Sequence, residues 1–312
     1  MNVINDRAPS AIRKVPLEHF TGRVVACDAS MAIHQYLIAT QYTKATSMLA
    51  ESSHLLGLFN RTIQFLEHGI RPIWVFRPQT ITETKRPAAK KYGFASTAQV
   101  TPEMEQEAKT MLRLMGLPVI DSLCASEAQC VALVNAGKAY AVASEDMDSL
   151  PFGTRYLLRG FNSKKEPIMQ IDLLEVLRCL DFTMEEFIDF SIILGCDFCN
   201  PIKRVGPSTA YKLIKQFSSI EKVLDYLGRA NSKVKVPKNF AFEYAREKFT
   251  RPQIADISSF DLTFKDVDEG RLREFLIRTK GFNQGRIDLG LGRVKKSKKN
   301  SSQLRLESFI KR

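Results

Sequence analysis

Long hydrophobic runs are missing from this sequence. No apolar stretch approaches the roughly 18 residues that span a bilayer, so a membrane protein is not expected. Glycine and proline number only 16 and 13 in 312 residues, which excludes a fibrous or low-complexity chain. Histidine is scarce: His19, His34, His54 and His68 all lie in the first quarter, without H-E-x-x-H spacing, and a histidine-built metal site is not expected. Cys196 and Cys199 form a single C-x-x-C among scattered cysteines, where a zinc site would need a second pair. The first 20 residues hold no long apolar stretch, so the expectation is an intracellular protein with reduced core thiols.

Acidic residues are also in deficit, 34 against 46 Lys and Arg, for a net charge of +12. From Arg278 to Arg312 there are 11 basic and 2 acidic residues, or +9, which leaves +3 for the first 277. A basic end on a nearly balanced body points to a polyanionic partner, nucleic acid foremost; a solubilising tail or a localisation signal is the plain alternative.

What is present is an alternation of short apolar runs and amphipathic stretches. Val24-Val25-Ala26-Cys27, Pro72 to Phe76, Leu117 to Ile120 and Ala139 to Ala143 read as buried strands. Between them, helical spacing appears at Ile33 and Leu37, at Leu55 to Leu66, and from Met104 to Met115 behind Thr101-Pro102. Ser126-Glu127-Ala128-Gln129 and Thr183-Met184-Glu185-Glu186 have capping-box spacing. The pattern predicts an α/β fold with a mostly parallel central sheet flanked by helices, then a mainly helical C-terminal part. Beyond about Phe282 the apolar period fades, and the tail is expected to be disordered.

In an open parallel sheet, ligands bind beyond the carboxyl ends of the strands. Two predicted strands end in acids there: Asp28, then Asp146 with Asp148; Glu127 opens a nearby helix, and Asp197 follows a helix ending at Leu194-Gly195. Carboxylates clustered without histidine or cysteine suit hard ions such as Mg²⁺ or Mn²⁺, which can activate water and stabilise the leaving oxygen of a phosphodiester. For any one of these acids, a helix cap or a surface charge is the simpler reading. Ile202-Lys203-Arg204-Val205-Gly206-Pro207-Ser208-Thr209-Ala210 approximates the hairpin between two helices that grips DNA phosphates through backbone N–H groups.

Taken in order, the segments around Asp28, Ser144 to Gly153, and Leu194 to Cys199 with the hairpin resemble the eukaryotic and archaeal flap endonucleases over nearly the whole chain. The resemblance implies a PIN-like 5′ nuclease fold and a structure-specific 5′-flap endonuclease and 5′-3′ exonuclease. It further implies two Mg²⁺ ions, with Mn²⁺ as a substitute, and a role in Okazaki-fragment maturation and long-patch base excision repair. Asp28, Glu127, Asp146, Asp148 and Asp197 match metal carboxylates, with Asp146 and Asp148 central to catalysis. Arg61, Glu127, Gly195, Asp197 and Gly206 match DNA-contact positions, and Lys85 and Lys91 stand nearest the catalytic basic residues of a helical gateway shortened here to 78–101. The end of the chain, with Gln303, Leu306, Phe309 and Ile310, resembles a box that binds the sliding clamp (PCNA). The implied partners are 5′-flap and nicked duplex DNA and the clamp, with the chain otherwise monomeric. The implied location is the nucleus, with nucleolus and mitochondrion as further family compartments. The expected organisation is a nuclease region in two stretches, 1–95 and 96–217, with the hairpin at about 200–215. A helical part at 218–282 and a basic tail at 283–312, its box at 302–310, complete it.

Several positions depart from the family pattern. Arg77 stands where a metal aspartate follows the second strand, and Ala125 where an acid precedes Glu127 by two residues. His34 replaces a DNA-stacking tyrosine, Gln41 an arginine, and Arg204 the first hairpin glycine. Five carboxylates and Arg77 sum to −4, against −7 for the family set. Two readings stay open: an active metal-dependent nuclease, and a catalytically weakened or inactive, clamp-tethered protein that binds flap DNA. A generic α/β phosphatase is a poorer third, because no nucleophile motif is present. Arg77 is expected to turn inward, toward Asp28 and Asp146; an outward turn to a DNA phosphate or solvent is the plain alternative.

Overall fold

Each predicted strand is too short and too apolar to stand at a surface, and the structure buries them together. This computed structural model describes residues 2–41, 53–78, 100–161, 167–229 and 234–310, the side chains of 2, 39–41 and 298–310 excepted. The strands are β1 (Ile12–Val15), β2 (Val24–Asp28), β3 (Arg71–Phe76), β4 (Val119–Asp121), β5 (Ala141–Ala143), β6 (Tyr156–Arg159) and β7 (Ile168–Asp172). They form one sheet in the order β1-β7-β6-β5-β2-β3-β4. The run from β6 to β4 is parallel, as expected, while β7 and β1 add an antiparallel edge. That edge was not legible in advance. β1 reads Ile-Arg-Lys-Val, with its two charged residues exposed, and its partner lies more than 150 residues away, Ile12 opposite Ile171.

Both faces of the sheet are covered, and side-chain alternation assigns the residues to them. In β3, Trp74 and Phe76 join one buried cluster and Ile73 and Val75 the other. Two short helices, α1 (Asn2–Arg7) and α11 (Glu269–Arg273), belong to the same series. On the first face lie α2 (Ala29–Gln41), α3 (Ser53–Glu67) and α4 (Pro102–Leu114). On the second lie α5 (Ser126–Asn135), α6 (Leu173–Leu180), α7 (Met184–Leu194), α8 (Pro207–Phe217), α9 (Ile220–Arg229) and α10 (Phe242–Thr250). A mid-helix glycine in α3 has a packing reason: a Cβ on Gly57 would fall 2.1 Å from Cγ of Tyr36 on α2.

Side-chain caps open two of the helices. Thr183 caps α7 in a reciprocal box with Glu186, and the Thr101 hydroxyl caps α4. The box expected at Ser126 does not form: the N-cap of α5 is Ala125, and Ser126 is already helical. Its hydroxyl is drawn instead to acids across the sheet edge. The tail expected to lack structure is also corrected, since 283–312 contains a helix, α12 (Gln284–Ile310). Ile287, Leu291 and Val294, at helical spacing, are buried on the α3 face. The surrounding lysines and glycines hid that stripe.

Behind the sheet, one buried charge ties three helices together. Asp189 of α7 is 3% exposed and accepts bonds from Nε and Nη2 of Arg246 (2.9 and 2.8 Å) and from the Ile220 N–H that opens α9 (3.0 Å). Arg246, on α10, also pairs with the half-exposed Glu221. Removing one partner of a buried pair strands the other charge. Arg246→Ala is therefore expected to cost about 3 kcal/mol in urea unfolding, and Glu221→Ala under about 1 kcal/mol. Equal costs for the two would show that the buried aspartate is not what matters.

Candidate active site and nucleic-acid interface

Parallel register brings the carboxyl ends of three strands level. Asp28 pairs with Val75, so Arg77 emerges two residues further along the same edge, and Cys27 pairs with Ala143, so Ser144 emerges beside Asp28. The N-terminus of α5 faces this edge and presents Ser126 and Glu127. Asp197 arrives from the other direction. Gly195, at φ 93°, reverses the chain after α7, and a tight turn closes through paired backbone bonds between Cys196 and Cys199, with Asp197 at its tip. Phe198 in that turn packs on Phe152 and on Phe249 of α10, at ring separations of 6.3 and 5.5 Å. This aromatic cluster holds the Asp197 turn against the segment that follows Asp148, and it had no signature in the sequence.

The five acids meet, linked in a ring. The Ser126 hydroxyl lies 3.1 Å from Asp28 Oδ1 and 3.3 Å from Glu127 Oε2, so its one proton serves two carboxylates in turn. Arg77 Nη2 donates to Glu127 Oε1 (3.2 Å) and lies 3.5 Å from Asp197 Oδ2. The Asp197 N–H faces Asp148 Oδ2 at 3.4 Å, and the Asp148 N–H donates to Asp146 Oδ1 at 3.0 Å. The Asp146 N–H donates to the Ser144 hydroxyl (3.1 Å), which in turn reaches Asp28 Oδ2 (3.4 Å) and closes the circuit. Asp28, Glu127 and Asp146 form its buried inner part, whereas Asp197 and Arg77 reach solvent. Glu145 is excluded although it lies between the ring residues. Its carboxylate accepts the Gly160 and Phe161 N–H groups and pairs with Arg159.

The electrostatics follow from burial. Desolvation first, and the Glu127 charge second, push the Asp28 carboxyl up to about 7, with Arg77 and the Met31 N–H pulling it back. Burial would lower the pKa of Arg77, but Glu127, Asp197, Asp28 and Asp146 in that order more than offset it and hold the guanidinium charged. The inward turn expected of Arg77 is correct. Its bonded partners are Glu127 and Asp197, however, with Asp28 and Asp146 acting only through their charge. Burial and the charge of Arg77 both lower the pKa of His34 and so favour its neutral ring.

These donors have the right chemistry for a hard divalent cation, all carboxylate oxygen. Their arrangement already includes one cation. A guanidinium is already bonded to two of the five acids, and among the described residues no three acidic, histidine or cysteine groups converge as placed on one point.

The other residues singled out in the sequence are dispersed. Arg61, on α3, is buried; its Nη2 donates to Gln35 (3.2 Å), and it lies over the Tyr36 ring. It lines a small pocket with Asp28, Met31, Trp74 and Ser144. Lys85 and Lys91 lie outside the described residues. Gln303, Leu306, Phe309 and Ile310 lie on the last turns of α12, beyond the described side chains. Between α7 and α8 the chain turns with Ile202 and Val205 buried, and α8 opens with Gly206 as N-cap and Pro207 in its first turn. A Cβ on Gly206 would meet no protein atom within 4 Å, so the approach to the α8 N-terminus is open. Lys203 and Arg204 are exposed beside it.

The comparisons with known proteins agree along the chain. Residues 1–98 match the XPG N-terminal domain and 116–197 the XPG I-region. Flap endonuclease 1-1 of Paramecium tetraurelia is 40% identical over 99% of this chain and 90% of its own length. Flap endonuclease 1 of Lachancea thermotolerans is also 40% identical, over 99% and 88%. Among solved structures, the catalytic core of Rad2 in complex with DNA substrate aligns with a TM-score of 0.78 at 23% identity, covering 94% of this chain and 99% of that one. Flap endonuclease-1 from Methanococcus jannaschii aligns with a TM-score of 0.74 at 24% identity, covering 96% and 99%.

Arg204 carries a measurable cost. Its φ of 67° lies in the left-handed region, which disfavours a residue with a Cβ. Arg204→Gly is expected to stabilise the protein by about 1 kcal/mol, seen as a higher thermal midpoint. A destabilised variant would show that the arginine side chain, not its backbone, is what the turn needs.

Proposed function

The chain belongs to the flap endonuclease family, and from that premise we propose that it cuts a phosphodiester bond at a 5′ flap in DNA. It is a structure-specific nuclease of DNA replication and repair. One observation carries this reading: the acidic ring stands assembled at the sheet edge of a chain related to flap endonucleases over 99% of its length. The assembled set also disfavours a purely DNA-binding role.

The chain's own residues divide the work. Asp146 and Asp148, at the end of β5, and Asp28, at the end of β2, supply concentrated negative charge that a phosphodiester would not approach without a cation. Family nucleases depend on divalent metal, and such an ion supplies an activated water and charge neutralisation. We take Mg²⁺ to be the physiological ion. The hairpin binds phosphate: the exposed first-turn N–H groups of α8, the open approach at Gly206, and Lys203 and Arg204 suit a DNA backbone and carry no base specificity. Gly195 sets the turn that joins this hairpin to the acids, and the Asp197 to Asp148 contact links duplex position to cut position. Arg61, buried behind Asp28, holds α2 against α3.

Further parts of the reading rest on resemblance alone. They are 5′-3′ exonuclease activity, action on Okazaki fragments and in long-patch repair, nuclear location and clamp binding through 302–310.

Asp146→Asn with Asp148→Asn should abolish cleavage of a 5′-flap duplex in Mg²⁺ while leaving flap-DNA affinity within about tenfold, since these groups answer to metal and not to phosphate. Cleavage at the wild-type rate would place the chemistry elsewhere, and an inactive wild type would overturn the nuclease reading.

Leu306→Ala with Phe309→Ala should remove binding to the sliding clamp in a pull-down, because these would be its apolar anchors. DNA affinity should hold, since no charge changes. Undiminished clamp binding would reduce the box to coincidence.

A further inference from the structure

Arg77 presents a chemical conflict. Five carboxylates that face one another need protons or cations to offset their repulsion, and here a covalently attached cation supplies part of the offset. Its side chain crosses from β3 to the helix that carries Glu127 and to the turn that carries Asp197, so it takes one acid from each side of the ring. Its backbone is anchored as well, with the Arg77 N–H donating to the Ser30 hydroxyl at 3.1 Å. A guanidinium does not lose its proton, and its planar fork suits carboxylate oxygens. A divalent ion drawn to Glu127 and Asp197 would have to displace this partly exposed guanidinium, whose charge repels it at close range.

We propose that Arg77 is a resident cation occupying one of the cation positions of the acidic ring, so that this chain takes up a single divalent ion. The proposal rests on the nuclease reading and specifies how that site is loaded. Arg77 contributes one positive charge where an ion would bring two, and it offers no coordination position for water. Its role is to hold Glu127 and Asp197 in place and to set the charge of the ring, which makes it a positioning residue. The remaining ion must then carry all the metal chemistry.

The test is stoichiometry in the full-length protein, read without DNA or cleavage. Mn²⁺ is titrated and the free ion followed by electron paramagnetic resonance, for the wild type, Arg77→Lys, Arg77→Met and Arg77→Asp, each checked for native circular dichroism. The wild type and Arg77→Lys are expected to bind about one Mn²⁺ per chain, and Arg77→Asp about two. Arg77→Met guards against misfolding of the aspartate variant: removing the charge alone should admit a second ion or tighten the first at least tenfold. Two ions on the wild type would overturn the proposal while leaving the nuclease reading intact. So would one ion, at unchanged affinity, on both Arg77→Met and Arg77→Asp. A wild type that binds one ion and never cuts a flap would overturn the nuclease reading instead, and would leave the resident cation standing.

Discussion

Five carboxylates gathered at one sheet edge repel one another, and the structure is organised around containing that repulsion. Arg77 does the largest part, bonded to Glu127 and Asp197 and adding its charge to the field at Asp28 and Asp146. The Ser126 and Ser144 hydroxyls and the Met31 N–H, all directed at Asp28, add to it. Burial and the Glu127 charge still lift the Asp28 carboxyl to about 7.

That constraint explains the scaffold around it. Parallel pairing of β2 with β3 and β5 aligns the strand ends to within a residue or two, which only a common register can do. Phe152, Phe198 and Phe249 then fix the Asp197 turn from behind, so one acid comes from a helix-to-hairpin corner rather than from the sheet. The same corner leads to the phosphate-facing end of α8, behind which Asp189 and Arg246 lock α7, α9 and α10. Chemistry and DNA grip therefore share one rigid connection, and the strained backbone at Arg204 sits in its exposed loop.

Inward-facing cation and acidic ring also reconcile two tendencies that the sequence held in tension. Relatedness to flap endonucleases extends over the whole chain, yet the acidic ring contains an attached cation. An acidic site with an attached cation needs less added positive charge to approach neutrality, and so Arg77 is compatible with an assembled ring.

Much was determined by the sequence alone. Apolar runs ending in acids located the strands and their functional ends, because a buried parallel strand must be apolar and its carboxyl end is where ligands meet it. The Thr183 cap and the start of α4 at Thr101-Pro102 were also readable, since each depends on neighbours a few residues away. Tertiary structure alone decided the remainder. It turned Ser126 from a cap into a donor for Asp28, 98 residues distant, and Glu145 away from the ring toward β6. It paired β1 with β7 and laid Ile287, Leu291 and Val294 against α3 to make a helix where charge suggested none. It also chose Glu127 and Asp197 as the partners of Arg77. These outcomes depend on which groups lie within about 3 Å across the fold, a distance that no local periodicity encodes.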